Sequence, residues 1–502
     1  MIGGDALDTL GRVNKEKCME HAKLPWLSKH GRLFKIVVCS LLFLGMFVSN
    51  TLRATSPFDS RINDNSFQQY PFLLEQTLLF DLAGVNPLFN TNYQALSQAK
   101  TEPLQPDDMV RMQGQVTAYW QHISALSGCD AVMTNNTNAD PMSDIHYQAV
   151  LKKISQLIQL ESQFSWETLM LENKLTVGQT HPIVNTIAKR LWLLGDMPKE
   201  VDVEQVYTDE LMLGIKRFQL RHGLQTDGVI GKQTLYWLNQ SPRQRAVLLA
   251  RNELRQRIFS RKLTPSYLLI NVPAFEMKLV EQEQTVLTSK VIVGKSSRQT
   301  PILDSQISSI VLNPSWRVPS SILRRDILPH IRKDGYYLQD REFDVYDYSG
   351  QLIFHTPEEW QELASSRFPY QLVQRPGPKN ALGKYKFHFD NSFSVYLHGT
   401  SEPALFKREN RALSSGCIRI EKVNELAQWF KRNLVKDKGL WDRLAPNVTD
   451  PQWFALSEKL PVHLVYWTAW LDDKGQDHYR NDIYHLEAEF TNAVTSSIFN
   501  IP

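Results

Sequence analysis

The chain has 502 residues, 42% apolar and 22% charged, an ordinary globular composition with room for two to four domains. A formal net charge of +3 without a long Lys/Arg block argues against nucleic acid as a partner. The cysteines lie far apart, with no Cys-x-x-Cys or His-x-x-x-His spacing, which argues against a disulfide scaffold and a zinc centre.

Residues 36–48 form an apolar run behind Lys29, Arg32 and Lys35, the layout of an export signal. Leu52-Arg53-Ala54 is a poor small-x-small cleavage site, which favours an uncleaved anchor over 36–52, with 1–35 in the cytoplasm and the remainder outside. Secretion after cleavage is the alternative, and a start at Met19 would shorten the leader. Export leaves Cys129 and Cys417 in an oxidising compartment, where an unpaired Cys417 suits a working thiol.

Residues 56–177 read as a helical scaffold domain, with Ile154, Leu157, Ile158, Leu160 and Phe164 at helical spacing. Residues 178–240 form a second module: a helix after His181-Pro182, a helix over 207–222, an Asp227-Gly228 turn, and a helix over 232–238. Leu211, Leu213, Ile215, Phe218 and Leu220 are expected on the apolar face of the middle helix. Ser241-Pro242 breaks the chain, and a basic connecting helix fills 241–264.

Residues 265–490 hold the third domain, where short runs at 267–273, 276–281, 284–293 and 307–312 predict a mostly antiparallel β fold. The β pattern lapses over 318–374, where 321–332 and 358–364 predict helices; a long insertion of this kind suits a lid. Tyr336, Tyr337, Phe354, His355 and Trp360 could pack there on a bulky substrate. Residues 422–434 predict a helix, and 461–471 a strand that turns at 472–475 and returns over 477–484. His463, His478 and His485 are expected on these strands as structural residues. The fold class is multidomain α+β.

The chemistry concentrates in Tyr396-Leu397-His398-Gly399-Thr400 and Ser414-Ser415-Gly416-Cys417-Ile418-Arg419-Ile420. A tight Ser-Ser-Gly loop delivers Cys417 beyond a strand that ends at His398. A thiol attacks as thiolate, His398 could take its proton, and Arg419 adds positive charge. The Gly416 and Cys417 amides could line an oxyanion hole. Nucleophile, base and oxyanion donors together point to acyl transfer.

This string resembles the signature of the cysteine L,D-transpeptidases (YkuD-type), a His-Gly followed by Ser-x-Gly-Cys-x-Arg. The resemblance implies Cys417 as nucleophile, His398 as base and the Gly399 carbonyl as the group that orients it. It implies Arg419 as a residue orienting substrate or loop. Tyr396, Ser415 and Trp316 would be further substrate contacts. Leu269-Ile270-Asn271-Val272-Pro273-Ala274, Asn313-Pro314-Ser315-Trp316-Arg317-Val318-Pro319 and residues 376–387 resemble the larger periplasmic subgroup, which carries a capping subdomain at the position of 318–374. Phe218-Gln219, Gly223-Leu224, Asp227-Gly228, Gly231, Thr234 and Leu238 resemble the small peptidoglycan-binding domain. The expected partners are peptidoglycan stem peptides, the cell wall and, through 36–52, the inner membrane. No metal or organic cofactor is expected. Transfer to an amine would give 3→3 cross-links; transfer to water would make a carboxypeptidase or endopeptidase; an inactive wall-binding protein is the third reading.

Overall fold

The computed structural model describes residues 65–99, 104–126, 144–200, 204–445 and 448–488. The expected cytoplasmic segment (1–35), signal segment (36–52) and Cys129 lie outside them. Among the described residues, no helix is long and apolar enough to cross a membrane.

The chain divides into two compact units at Ser155–Gln156. The first contains helices α1 (Asn65–Ala83), α2 (Pro87–Gln98), α3 (Pro106–Leu126) and the start of α4 (Ile145–Gln163). Asn86 caps α2 by accepting the Leu88 amide, and Pro87 fits the first turn because its missing N–H would be unpaired there anyway. Phe80 packs between Phe89 and Tyr119 in its aromatic core.

The second unit begins with a three-helix module, α5 (Ile183–Leu193), α6 (Asp209–Arg221) and α7 (Lys232–Asn239). The stretch assigned by sequence to the end of the scaffold domain packs on this module instead. The Trp166 indole donates to the Leu238 carbonyl, Leu169 N–H to Asn239, and Leu175 bridges Ile230. Thr208 caps α6, with Asp209 and Glu210 in the first turn, where the helix dipole favours negative charge. On α6, Leu211, Ile215 and Phe218 are buried, whereas Leu213 (52%) and Leu220 (66%) are exposed, so the apolar face is narrower than expected.

The residues that match the peptidoglycan-binding motif bond to one another. The Gln219 amide donates to Asp227 Oδ1 and the Val229 carbonyl, each at 3.0 Å, and accepts the Gly228 amide at 2.9 Å. Thr234 donates to the same Val229 carbonyl. The motif therefore fixes the Asp-Gly turn to the helices; it builds the fold of the module.

Helix α8 (Pro242–Ser260) follows, opened by a Ser241/Gln244 capping box. Then comes the β domain: β1 (Tyr267–Asn271), β2 (Glu276–Glu281), β3 (Gln284–Gly294), β4 (Leu303–Leu312), β5 (Trp316–Arg317), β6 (Phe343–Tyr346), β7 (Gln371–Gln374), β8 (Tyr385–Phe389), β9 (Leu397–His398), β10 (Ala412–Ser414), β11 (Ile418–Ile420), β12 (Gln452–Val465), β13 (Ala469–Leu471) and β14 (Asp477–Tyr479). The large sheet runs β10-β3-β11-β9-β8-β4-β12-β1-β2, and β2 pairs again with β3, so the sheet closes on itself. Closure removes the free edges that an open sheet would expose. Most pairs are antiparallel; β1/β12, β9/β11 and β3/β10 are parallel. The core fills with alternate residues such as Leu268, Ile270, Phe387, Leu397, Ile418 and Ile420. Phe430 and Leu426 add to it from α9 (Val423–Asn433).

The strand expected over 461–471 begins earlier, at Gln452, and stops at Val465 before the hairpin β13/β14. His463 bonds Asp304 at 2.8 Å and His478 bonds Asp472 at 3.0 Å, both structural, but His485 sits beyond the strands with φ +59°.

The insertion is a folded subdomain rather than a loop. Strands β5, β7 and β6 make a small sheet, so β structure continues where the sequence pattern lapsed, and the subdomain starts at Trp316. The helical turns Ser320–Ile322, Leu323–Ile327 and Leu328–Lys333 run on into one another, the middle one with π spacing. Ile331, Leu338, Trp360 and Leu372 form a separate core. Of the aromatics expected on a substrate, Trp360 is in this core, Tyr337 stacks on His330, and His355 is held by Glu359 and Tyr370. Tyr336 and Phe354 are exposed.

Candidate active site

Cys417 follows β10 and precedes β11, and it is a free, partly buried thiol. The loop before it is fixed by its own side chains. Ser414 Oγ accepts the Gly416 amide at 3.1 Å and donates to the Cys417 carbonyl at 2.6 Å. Gly416 has φ +118°, a conformation that side-chain-bearing residues rarely adopt. The amide assigned by sequence to an oxyanion hole is thus bonded inside the loop. The Cys417 amide has no hydrogen bond among the described residues.

The segment after β3 grips this loop from outside. Thr300 Oγ1 donates to the Gly416 carbonyl at 2.8 Å and accepts the Gly294 amide at 2.9 Å. Tyr484 O–H donates to the Gly294 carbonyl and accepts the Thr300 amide. Arg298 reaches both the loop and the insertion: it donates to Ser415 Oγ at 2.7 Å and to Asp326 Oδ1 at 3.0 Å, with a second, shorter contact to Asp326 Oδ2. The Arg298 guanidinium holds the Asp326 carboxyl below its usual range. Ser415 therefore serves as the loop's attachment to the insertion.

His398 ends β9 and pairs in register with Arg419 of β11 on one side and Lys386 of β8 on the other. Tyr385, Phe387, Leu397 and Ile418 point into the core, so alternation turns Lys386, His398 and Arg419 to the opposite face. His398 is 5% exposed. Burial, then the charges of Arg419 and Lys386, lower its pKa to about 3, opposed by the nearby Gly399 and Leu382 carbonyls. Those carbonyls stop short of a full hydrogen bond, and Nδ1 is buried without a partner. The turn that brings Leu382 to this place is held by Asn380, whose Oδ1 accepts the Leu382 amide; Gly383, at φ +64°, lies against the Gly399–Thr400 backbone.

Burial pushes the Cys417 thiol up, opposed by the Tyr396 backbone and hydroxyl and by the charges of Lys386 and Arg419. Burial thus favours the neutral form of both the thiol and the imidazole. The Tyr396 ring lies 5.6 Å from the His398 ring, and burial raises its phenol, with Trp316 of β5 acting on the same oxygen in the opposite sense. Cys417, His398, Tyr396, Trp316 and Arg419 thus converge. Sequence reasoning missed Lys386, Arg298, Asp326 and Thr300. Lys386 was detectable, because alternation from Tyr385 and Phe387 puts it on the face of His398.

Residues 265–444 match the YkuD family, an L,D-transpeptidase catalytic domain, and residues 180–238 match "Putative peptidoglycan binding domain". A relative from Haemophilus influenzae, "Putative L,D-transpeptidase", is 34% identical over 210 residues, 41% of this chain. The chain spans 42% of that relative's length. A crystal structure of an L,D-transpeptidase from Stackebrandtia nassauensis aligns at TM-score 0.22 with 13% identity, over 60% of this chain and 97% of that one. An L,D-transpeptidase from Xylanimonas cellulosilytica aligns at TM-score 0.20 with 13% identity, over 59% of this chain and all of that one.

Proposed function

We propose that this chain, which carries an L,D-transpeptidase catalytic domain and a peptidoglycan-binding domain, is a cysteine acyltransferase of cell-wall peptidoglycan. One observation carries the reading: within the matched domain, the loop that holds the single thiol runs into β11, where Arg419 pairs in register with the buried His398 of β9, itself paired with Lys386 of β8, and Arg298 ties that loop to a folded insertion.

The thiol proton passes to His398 as Sγ of Cys417 bonds to the carbonyl carbon of the third stem residue, commonly a diamino acid. The oxyanion is met by the Cys417 amide. The C–N bond to the terminal D-Ala then breaks, the imidazolium returns its proton to the leaving amine, and a thioester remains. An acceptor amine reverses the sequence, loses its proton to His398, and regenerates the thiol with a 3→3 cross-link. Burial, with the charges of Arg419 and Lys386, holds the His398 pKa down so that it is ready as a base, and the nearby Gly399 carbonyl would orient it as the site closes on substrate. The insertion, fastened to the nucleophile loop through Arg298, excludes water from the thioester and helps form the acceptor site. The protein works in the cell envelope, held at the inner membrane by 36–52 or released after cleavage.

Product analysis by mass spectrometry, with a tetrapeptide-containing fragment, tests this. Cross-linked dimer supports the transferase, trimmed peptide alone would make it a hydrolase, and unchanged substrate would leave a wall-binding protein.

A further inference from the structure

Gly416 and Cys417 share one peptide unit, with the Gly416 carbonyl on one edge and the Cys417 N–H on the other. The unit is planar and trans, so these two groups point in opposite directions. Whatever holds the carbonyl therefore aims the amide. Gly416, at φ +118°, gives the backbone beside this unit the freedom that only glycine has, so the loop alone does not fix its tilt.

Thr300, which is 1% exposed, holds that carbonyl. A hydroxyl has one proton to give. Here the proton goes to the Gly416 carbonyl at 2.8 Å and the oxygen accepts the Gly294 amide at 2.9 Å, so both sides set its direction. Tyr484 fixes Thr300 in turn: its hydroxyl accepts the Thr300 amide at 3.1 Å and donates to the Gly294 carbonyl at 2.6 Å. A Cβ on Gly294 would clash with the Arg298 carbonyl, so the close approach needs glycine there. Tyr484 is itself anchored. Its amide donates to the Tyr466 hydroxyl at 2.8 Å, that hydroxyl donates to Asp482 at 2.6 Å, and the two tyrosine rings stack at 5.7 Å. On the far edge of the peptide, the Cys417 N–H meets no acceptor among the described residues. Tyr484 lies beyond residues 265–444, the stretch that matches the catalytic family.

We propose that Thr300 and Tyr484 are positioning residues for the oxyanion hole: Thr300 pins the Gly416–Cys417 peptide so that its N–H faces the reacting carbonyl, and Tyr484 pins Thr300. The proposal rests on the acyl-transfer reading above. Both residues act through the peptide and neither touches substrate. An oxyanion exists only once the carbonyl is attacked, so loss of the pin lowers the maximal rate of acylation and leaves the half-saturating donor concentration near that of the parent. It also spares any reaction of the same thiol that develops no oxyanion.

Two rates, measured on the full chain, test this. One is thioester formation with a tetrapeptide donor, followed by mass over a range of donor concentrations. The other is alkylation by iodoacetamide, read at the peptide that contains Cys417; it is a displacement at saturated carbon and forms no oxyanion. Thr300→Val removes the hydroxyl and keeps the shape of the side chain. It lowers the maximal rate of thioester formation by roughly 10- to 1,000-fold, the upper end being the loss of a whole oxyanion donor. Alkylation stays near the parental rate. Thr300→Ser, which keeps the hydroxyl, restores most of the acylation, and Tyr484→Phe gives a smaller loss of the same kind. Parental acylation in Thr300→Val overturns the proposal. So does a loss confined to the half-saturating concentration, or a fall of alkylation in step with acylation, which would mark a merely structural role. If Thr300→Val does not fold, Tyr484→Phe makes the same comparison, and parental acylation in it overturns the proposal equally. A parent that forms no thioester overturns the acyl-transfer reading, and the positioning role with it.

Discussion

A buried charge network joins the three-helix module to the β domain, beside the Trp237–Asn481 and Arg480–Arg221 hydrogen bonds. Arg221, at the end of α6, makes two 2.7 Å bonds to Asp196 and a 3.2 Å bond to Asp477 of β14. All three side chains are under 5% exposed. His222 stacks on Phe218 and on Tyr479 and bonds Arg245 at 2.8 Å. Arg221→Met removes the cation that bonds both carboxylates and leaves Asp196 and Asp477 buried, with Arg245 nearby and Gln476 still donating to Asp477. Breaking a buried pair in this way costs about 3–5 kcal/mol. At the few degrees per kcal/mol typical of large domains, the melting temperature falls by roughly 5–15 °C. Calorimetry of the full chain measures this, and the transition of the second unit should split as the module comes loose. Replacing the carboxylates as well (Arg221→Met with Asp196→Asn and Asp477→Asn) should restore part of the loss. A drop under about 2 °C for Arg221→Met would refute the reasoning. The same network means that a module excised at 178–240 would expose buried charges, so wall binding is best measured on the intact chain.

Further outcomes follow from the site. Because burial, helped by neighbouring cations, holds the His398 pKa down, and burial raises that of Cys417 against the same cations, the rate of Cys417 alkylation should climb with pH through 9; a plateau between pH 5 and 8 would reveal a preformed thiolate–imidazolium pair. His398 and His222 both titrate below their unfolded value of 6.5, so each contributes stability that is whole above pH 6.5 and is lost as pH falls, by about 1.4 kcal/mol per unit per group. Urea midpoints at pH 7 and pH 5 test this, and His398→Asn should flatten the dependence. Arg298→Ala removes a partly exposed clasp worth about 1–2 kcal/mol after screening. It should leave acylation by a carbapenem near the parental rate while cross-linking falls by roughly 5- to 30-fold; equal loss of both would mean that the clasp shapes the nucleophile loop alone.

Much of the fold was legible because its signals are local. Alternation in residues 267–271 and the Ser241/Gln244 capping box depend on neighbours a few positions away. The closure of the sheet was not legible, because β3 meets β11 across more than a hundred residues and nothing in either strand encodes the partner. Strands β5, β6 and β7 are too short for a period of two to register. At the site, Cys417 and His398 were readable from a motif that spans about twenty positions. The Arg298–Asp326 clasp joins two segments that look like ordinary charged surface in sequence. The Gly416 amide, expected in an oxyanion hole, is bonded to the Ser414 hydroxyl, a local competition for backbone donors that the motif does not reveal.

The central claim is a thioester on Cys417, and intact-protein mass spectrometry with a tetrapeptide donor measures it most directly. The account predicts an adduct equal to the donor less its terminal D-Ala, mapped to the peptide containing Cys417, released by an acceptor amine as cross-linked product and absent from a folded Cys417→Ala variant. An adduct on another residue, or cross-linked product from Cys417→Ala, would contradict it.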